Sequence, residues 1–268
     1  MLANETMTDE NGYQVALFPL EGFSISQPWW GTFSHEGGAT YYANDIVPYD
    51  SNGTRLFRAT CYAPVDIQLL WKDPRESVAL WQSLEPVHFA DDTIDYLGII
   101  VYHDNDIDNG TYSTVGTIKR QGEIFNRSGT GAYATGDHVH LETGKGQVNL
   151  ATDYLYHFRD NTSCKRITPD KALFINDTTI IPSQYDSGYN WVEYEELPSE
   201  LKRTGIYGVY YGNIYTTSQA LTMQQMKVNV RYLYRALTDK GWTLNAIAGL
   251  LGNLQSESSI NPRTLGKR

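Results

Sequence analysis

Cysteine is scarce in this sequence: 268 residues contain only Cys61 and Cys164. Two thiols exclude a disulfide-stapled scaffold and a four-thiolate zinc knot, and whether the two pair or stay free is left open. Positive charge is also short. Lys and Arg number 21 against 31 Asp and Glu, a formal charge of −10. Nucleic-acid surfaces rest on cations meeting phosphates, so no nucleic-acid partner is expected. Electrostatic adhesion to an anionic membrane is excluded on the same ground. No run approaches the ~20 apolar residues that cross a bilayer, so no transmembrane segment is expected even if a host membrane lies nearby. The first residues, MLANETMTDENGYQVALFPL, lack a basic stretch followed by an apolar one. A classical secretory signal is therefore not expected, and delivery outside a cell must come by another route.

What is present describes a folded protein, with 41% hydrophobic and 19% charged residues. The length suits one large domain or two modest ones. Twenty Tyr and six Trp are many for this length. Aromatics can stack on sugars, but their ordinary use is in cores and sheets, and that reading is favoured.

Residues 1–20 read as a polar N-terminal arm. From 21 to 160, short strand-like runs alternate with Gly, Asn and Asp; examples are 56–60, 65–70, 98–103 and 138–142. This spacing predicts a mainly β, antiparallel domain. Residues 161–220, with Pro169, Pro182 and Pro198, read as a β-rich extension and linker. From 221 to 268 the chain turns helical. Met226, Val230, Leu233 and Leu237 share one helical face, and Thr243 is placed to cap a second helix carrying Leu244, Ile247, Ala248, Leu251 and Leu254. Two such helices cannot close a core alone, so they are expected to dock or to continue into a larger domain.

Six histidines occur, at positions 35, 88, 103, 138, 140 and 157. The strongest local signal is Gly136-Asp137-His138-Val139-His140-Leu141-Glu142. On a strand, His138 and His140 point to one face with Cα atoms roughly 6.5–7 Å apart. That suits one imidazole on a metal and its neighbour on a nearby water. A Gly- and Thr-rich loop, Ser128–Gly136, leads directly into this strand. Far upstream, His35 and Asp45 offer the further nitrogen and oxygen that zinc accepts. His35, Asp45 and His140 would make three protein ligands with a fourth place open, the catalytic rather than the closed structural arrangement. His88 and His157 read as structural. Asp104, Asp106 and Asp108 have the spacing of a calcium loop without its Gly and distal Glu, and read as a solvated turn.

The stretches SHEGGATYYANDI, VYHDND and IKRQGEIFNRSGTGAYATGDHVHLE resemble the lysostaphin-type zinc endopeptidases, most of all their phage-encoded members. The resemblance covers about residues 22–145. It implies a compact antiparallel sheet with a metal groove, and an activity that cuts peptide cross-bridges of peptidoglycan. It matches His35, Asp45 and His140 to the zinc ligands, His138 to a catalytic histidine and His103 to the second, a donor to the developing oxyanion. One departure stands out: nine residues separate His35 from Asp45, more than the family's usual spacing. Either the insertion loops out, or Glu36 or Asp50 substitutes for Asp45.

The segment GLLGNLQSESSINP, residues 249–262, resembles the opening of phage-tail and related lysozyme-like domains. That resemblance makes Glu257 a general acid for a glycosidic oxygen, a task needing a pKa raised by burial. The chain stops six residues after Pro262, whereas such a lobe needs on the order of 100 residues. Continuation beyond residue 268 is therefore expected. Together the resemblances imply a hydrolase of the virion, at the phage tail tip, with bacterial peptidoglycan as substrate, Zn2+ as cofactor and other tail proteins as partners. The alternatives are an inactive structural tail protein keeping the peptidase fold, and a carbohydrate-binding module.

Overall fold

The computed structural model describes residues 1, 6–9, 11–31, 35, 42–108, 114–194, 204–205, 209–210, 226, 229–230, 233–234, 237–238 and 240–258. The chain forms two compact units, Met1–Met7 with Gln14–Tyr194, and Thr8–Tyr13 with Glu195–Arg268.

The first unit is built on a nine-stranded sheet. Its strands, in chain order, are β1 (Gly22–Gln27), β2 (Asn44–Tyr49), β3 (Ile67–Asp73), β4 (Val78–Ser83), β5 (Leu97–Tyr102), β6 (Ile118–Lys119), β7 (Val139–Lys145), β8 (Lys165–Ile167) and β9 (Thr179–Ile180). Across the sheet they run β9-β1-β2-β7-β5-β4-β3-β6, and β8 also pairs with β7. The β1–β9 pairing is parallel; the others are antiparallel. The architecture is thus the mainly β, antiparallel one that the sequence predicts.

Alternation sorts the side chains of the central strands to two faces. Ile46, Ile99, Val101, Val139 and Leu141 pack with Trp81, Phe125 and Phe23 in the main core. The opposite face carries His140 and Glu142, with a smaller cluster of Val78, Leu80, Ile100, Phe158 and Cys164 beside them. Gly98 and Gly144 face each other across β5 and β7. A Cβ at Gly144 would lie 2.6 Å from Cys164 Sγ and 2.8 Å from Phe158, so the missing side chain is what lets the segment around Phe158 settle on the sheet. Both cysteines are buried and free.

Several expected boundaries differ in the structure. Residues 1–20, read as an arm from their polar composition, contribute Ala16, Phe18 and Leu20 to the main core. Phe18 stacks on Phe23 at 4.2 Å and meets Trp191 edge-on. Within residues 161–220, read as a β-rich extension and linker, 161–194 supply β8, β9 and the core contacts of Trp191. The apolar run Val15–Leu20 decides the first case, because burying it outweighs the polar residues before it. The run 56–60 is not a strand: Arg58 sits at φ 53, which breaks the extended path, and pairing begins only at Thr60. Among the described residues, Trp81, Phe18, Phe23, Phe89 and Phe125 are fully buried packing groups.

In the second unit, Thr204–Gly205 pairs antiparallel with Val209–Tyr210. The residues described between 226 and 238 are helical. A helix spans Leu244–Ser258. Thr243 caps it, its Oγ1 accepting from the Ala246 N–H at 3.3 Å. Among the described residues no helix is long and apolar enough to cross a membrane.

Candidate metal centre

Register builds the site. His140 on β7 lies opposite Asp45 on β2 and opposite Tyr102 on β5. Cross-strand partners share a face, so Asp45, His140 and Tyr102 project together. His103 follows Tyr102 directly, and His138 precedes β7 on the same face as His140. His35 arrives from the segment between β1 and β2.

The atoms converge on Asp45 Oδ1. It lies 3.4 Å from His35 Nε2, 3.1 Å from His140 Nδ1 and 3.6 Å from His138 Nε2. Ligand atoms of His35, Asp45 and His140 all fall within 4.8 Å of one another. Asp50, the alternative to Asp45, instead accepts the Asn52 and Thr54 N–H groups in a turn beyond β2. Glu36 lies outside the described residues.

Backbone carbonyls set the ring tautomers. The Nδ1 atoms of His35, His138 and His103 lie 2.9, 2.8 and 2.8 Å from the carbonyl oxygens of Pro28, Gly136 and Gly131. A carbonyl only accepts, so each Nδ1 carries a proton and each neutral ring keeps its lone pair on Nε2. For His35 and His138 that Nε2 faces Asp45. His140 is turned the other way. Its Nδ1 faces Asp45, and its Nε2 meets Glu142 Oε1 at 3.2 Å.

The charges follow. Burial opposes a charge on Asp45, yet the imidazoles of His138, His140 and His35 gathered around it hold its carboxyl well below the ordinary range. Burial opposes a charge on His140 as well, but its bonds to Asp45 and Glu142 outweigh it and push the ring up to about 9. His103 is pushed down to about 4 by burial and by the neighbouring His140 and His138. Glu142 is lowered despite burial, by bonds from His140 and His157. A buried carboxylate among several imidazoles, two of which aim lone pairs inward, is a donor set that fits a divalent cation of borderline softness.

Around these groups lies a groove with a cavity of ≈ 470 Å³, lined among others by Glu76, Tyr133, Tyr154 and His157. His103 is held in a left-handed conformation, φ 77, as is Tyr133 at φ 61. Such backbone strain gathers where a side chain must be aimed. The loop before β7 holds His103 in place: the Gly131 N–H donates to the His103 carbonyl at 2.9 Å, and His103 Nδ1 returns a bond to Gly131. Gly129 forms a bridge with His138. Behind the loop, Arg58 binds Asp104, Asp106, Asn105 and the Ser128 carbonyl. Asp104 is 1% exposed, so the turn read as solvated is in part a buried ion-pair anchor.

Glu142, with no role in the sequence motifs, and His157, expected to be structural, are joined to the site: Glu142 bonds His140, and His157 bonds Glu142. The signal for Glu142 was its place two residues after His140, on the same strand face. His88 pairs with Asp92 in a separate hairpin. Glu257 belongs to the C-terminal helix of the other unit, and its side chain lies outside the described residues.

Residues 228–267 match the phage tail lysozyme family. A curated relative, morphogenesis protein 1 of Bacillus phage B103, is 33% identical over 135 residues, which are 50% of this chain and 33% of that protein. The chain thus spans about a third of the relative it matches. Similar solved structures are M23 and lysostaphin-type peptidases. A mutant catalytic domain of the prophage-encoded M23 protein EnpA from Enterococcus faecalis is 15% identical with a TM-score of 0.30, covering 48% of this chain and 75% of its own. The catalytic domain of lysostaphin from Staphylococcus simulans is 15% identical with a TM-score of 0.29, covering 59% and 85%. A zinc-containing peptidase from Vibrio cholerae is 11% identical with a TM-score of 0.31, covering 52% and 42%.

Proposed function

We propose that this chain is a phage peptidoglycan hydrolase. Residues 21–160 hold the centre of a zinc-dependent endopeptidase that cuts cell-wall cross-bridges, 161–220 form a β-rich extension and linker, and 221–268 open a lysozyme-like domain. The observation that carries the peptidase reading is the meeting of His35, Asp45 and His140, from three separate segments, with donor atoms within 4.8 Å. His103 and His138 stand beside them. The phage tail lysozyme match and the phage relative support a place in the virion, at the tail tip, with other tail proteins as partners.

His35 through Nε2, Asp45 through a carboxylate oxygen and His140 through Nδ1 would hold the ion. When bound, zinc supplies a Lewis acid for the scissile carbonyl and lowers the pKa of water from 15.7 to about 7. His138, with Nδ1 on the Gly136 carbonyl and Nε2 turned to the site, is placed to take a proton from the attacking water and hand it to the leaving amine. His103, held down to about 4, is neutral near pH 7. With its Nδ1 proton tied to Gly131, it starts as an acceptor too. Donation to an oxyanion, the role the resemblance implies, would require His103 to pick up a proton first. The groove's tyrosines supply apolar faces and hydroxyls for an extended peptide.

The test is turnover of purified cell walls, with mass analysis of the released peptides and zinc counted per chain. New amino termini released by the native chain, about one zinc per chain and loss of both in His140→Ala are expected. Unchanged peptide release by His140→Ala would refute the assignment.

A further inference from the structure

Glu142 is almost sealed from solvent, 1% exposed, yet it has no contact with Asp45 or His35 among the bonds described. Each of its oxygens has a partner. Oε1 accepts from His140 Nε2 at 3.2 Å and from His157 Nδ1 at 2.5 Å, and Oε2 accepts from the Phe158 N–H at 3.1 Å. The last two donors come from a segment that Gly98 and Gly144 admit onto the sheet. His157 is further fixed by Tyr102, stacked at 5.8 Å, which also meets the His140 ring edge-on at 4.8 Å.

We infer that Glu142 is the positioning residue of the metal centre, and that His157 and the Phe158 amide hold it in place. The inference rests on the metal reading above and adds what orients the third ligand. An imidazole can offer either nitrogen to an ion, and the bond made by the other nitrogen decides which. Glu142 keeps the proton on Nε2 of His140, so Nδ1 is the atom presented toward Asp45 and His35. Rotating the ring to offer Nε2 would leave a buried carboxylate short of a donor, a costly loss. His140, Glu142 and His157 also have ligand atoms within 4.8 Å of one another. The Phe158 amide on Oε2 and the close bond from His157 mark Glu142 as a hydrogen-bond acceptor, not as a ligand to a second ion.

The experiment uses the full chain and three variants, Glu142→Leu, Glu142→Gln and His157→Phe. Zinc affinity is read by competition with a fluorescent chelator, ions per chain by elemental analysis, and ligand geometry by the visible spectrum of the cobalt-loaded protein. Glu142→Leu is expected to weaken zinc binding about 10- to 100-fold. Glu142→Gln keeps an acceptor oxygen for His140 and is expected to lose less. His157→Phe keeps the ring on Tyr102 but removes one of the two donors to Oε1, and is expected to shift the cobalt spectrum with a smaller loss of affinity. If Glu142→Leu fails to fold, the other two decide. Native affinity and an unshifted cobalt spectrum in Glu142→Gln and His157→Phe would overturn the inference. So would two ions per native chain falling to one in Glu142→Gln, because Glu142 would then be a ligand. A native chain that binds no zinc would defeat the metal reading itself, whereas native zinc binding that ignores Glu142 and His157 defeats only this step.

Discussion

Gly129→Ala separates holding the ion from performing the chemistry. A Cβ at Gly129 would lie 2.1 Å from the His103 carbonyl, 2.5 Å from Asn105 Oδ1 and 2.7 Å from Arg58 Nη1. The arginine can swing aside, but the carbonyl is backbone and must retreat by roughly 1 Å, taking His103 with it. Gly129 also exchanges two backbone bonds with His138, at 3.0 and 3.1 Å, so the second histidine is disturbed as well. A misplacement of about 1 Å costs on the order of 10²-fold in rate, or about 2.7 kcal/mol in barrier. The three proposed ligand residues are held elsewhere, by the β2–β7 register and by Pro28, so zinc should stay. The assay is the initial rate of amine release from purified peptidoglycan, with zinc per chain measured on the same sample. Gly136→Ala is the control, since a Cβ there meets nothing within 4 Å. The expected outcome is about 10²-fold slower turnover in Gly129→Ala at native zinc content, with Gly136→Ala near the native rate. A Gly129→Ala rate close to native would refute the claim that this loop positions the histidines, and loss of zinc would show that ligands and loop are not independent.

Other outcomes follow from the same geometry. His103→Ala should keep its zinc and slow turnover by about 10²–10⁴-fold, the usual range for a positioned proton-transfer group, read by rate and metal content together. The pH dependence of the ion-free protein has two arms. The His140 ring, raised to about 9 from the ordinary 6.5, contributes stability fully present below about 6.5 and lost as pH rises through 9. Asp45, lowered from 3.8, contributes stability that is present above 3.8 and disappears as pH falls through its depressed value. Zinc must displace the Nδ1 proton of His140, so its uptake at pH 7 should release about one proton, measured by calorimetry in buffers of different ionisation enthalpy. Heats independent of the buffer would contradict this. Phe18→Ala should cost about 3–5 kcal/mol in urea unfolding; a cost below about 0.5 kcal/mol, as at an ordinary surface position, would return residues 1–20 to the role of an arm.

The strands were legible where alternation or an apolar run is local, as in 98–103 and 138–142. Thr243 was legible as a helix cap for the same reason, since a cap and its N–H partner lie within four residues. Asp45 could be nominated but not decided, because what singles it out is its pairing with His140 across β2 and β7. That pairing joins residues 95 apart in sequence. The same limit hid His157: its partner Glu142 is 15 residues away, and the contact exists only because two glycines on adjacent strands leave room for the segment that carries it. The N-terminal segment was misread for a different reason. Its composition is polar on average, but Val15–Leu20 is not, and burial is decided by the local run.

The site combines rigid and strained parts in a way that suits the chemistry proposed. Asp45 and His140 sit in mid-sheet, where register fixes their separation and a shift of one residue would send both side chains to the core face. His103 sits just past a strand end at φ 77, a conformation its own backbone does not favour, and is kept there by reciprocal bonds with Gly131. Ligands to an ion need fixed distances, which a sheet supplies at little cost. A proton-transfer group must face substrate and ion together, which regular strand geometry at that point would not allow. At the site the left-handed backbone therefore falls on His103 and Tyr133 and not on Asp45 or His140, and the loop of Ser128–Gly136, bonded to Arg58 and Asn105, supports His103. For this reason substitutions that crowd His103 from that loop, as at Gly129 or Gly131, should damage turnover well before they damage metal binding, whereas substitutions along β7 should do the reverse.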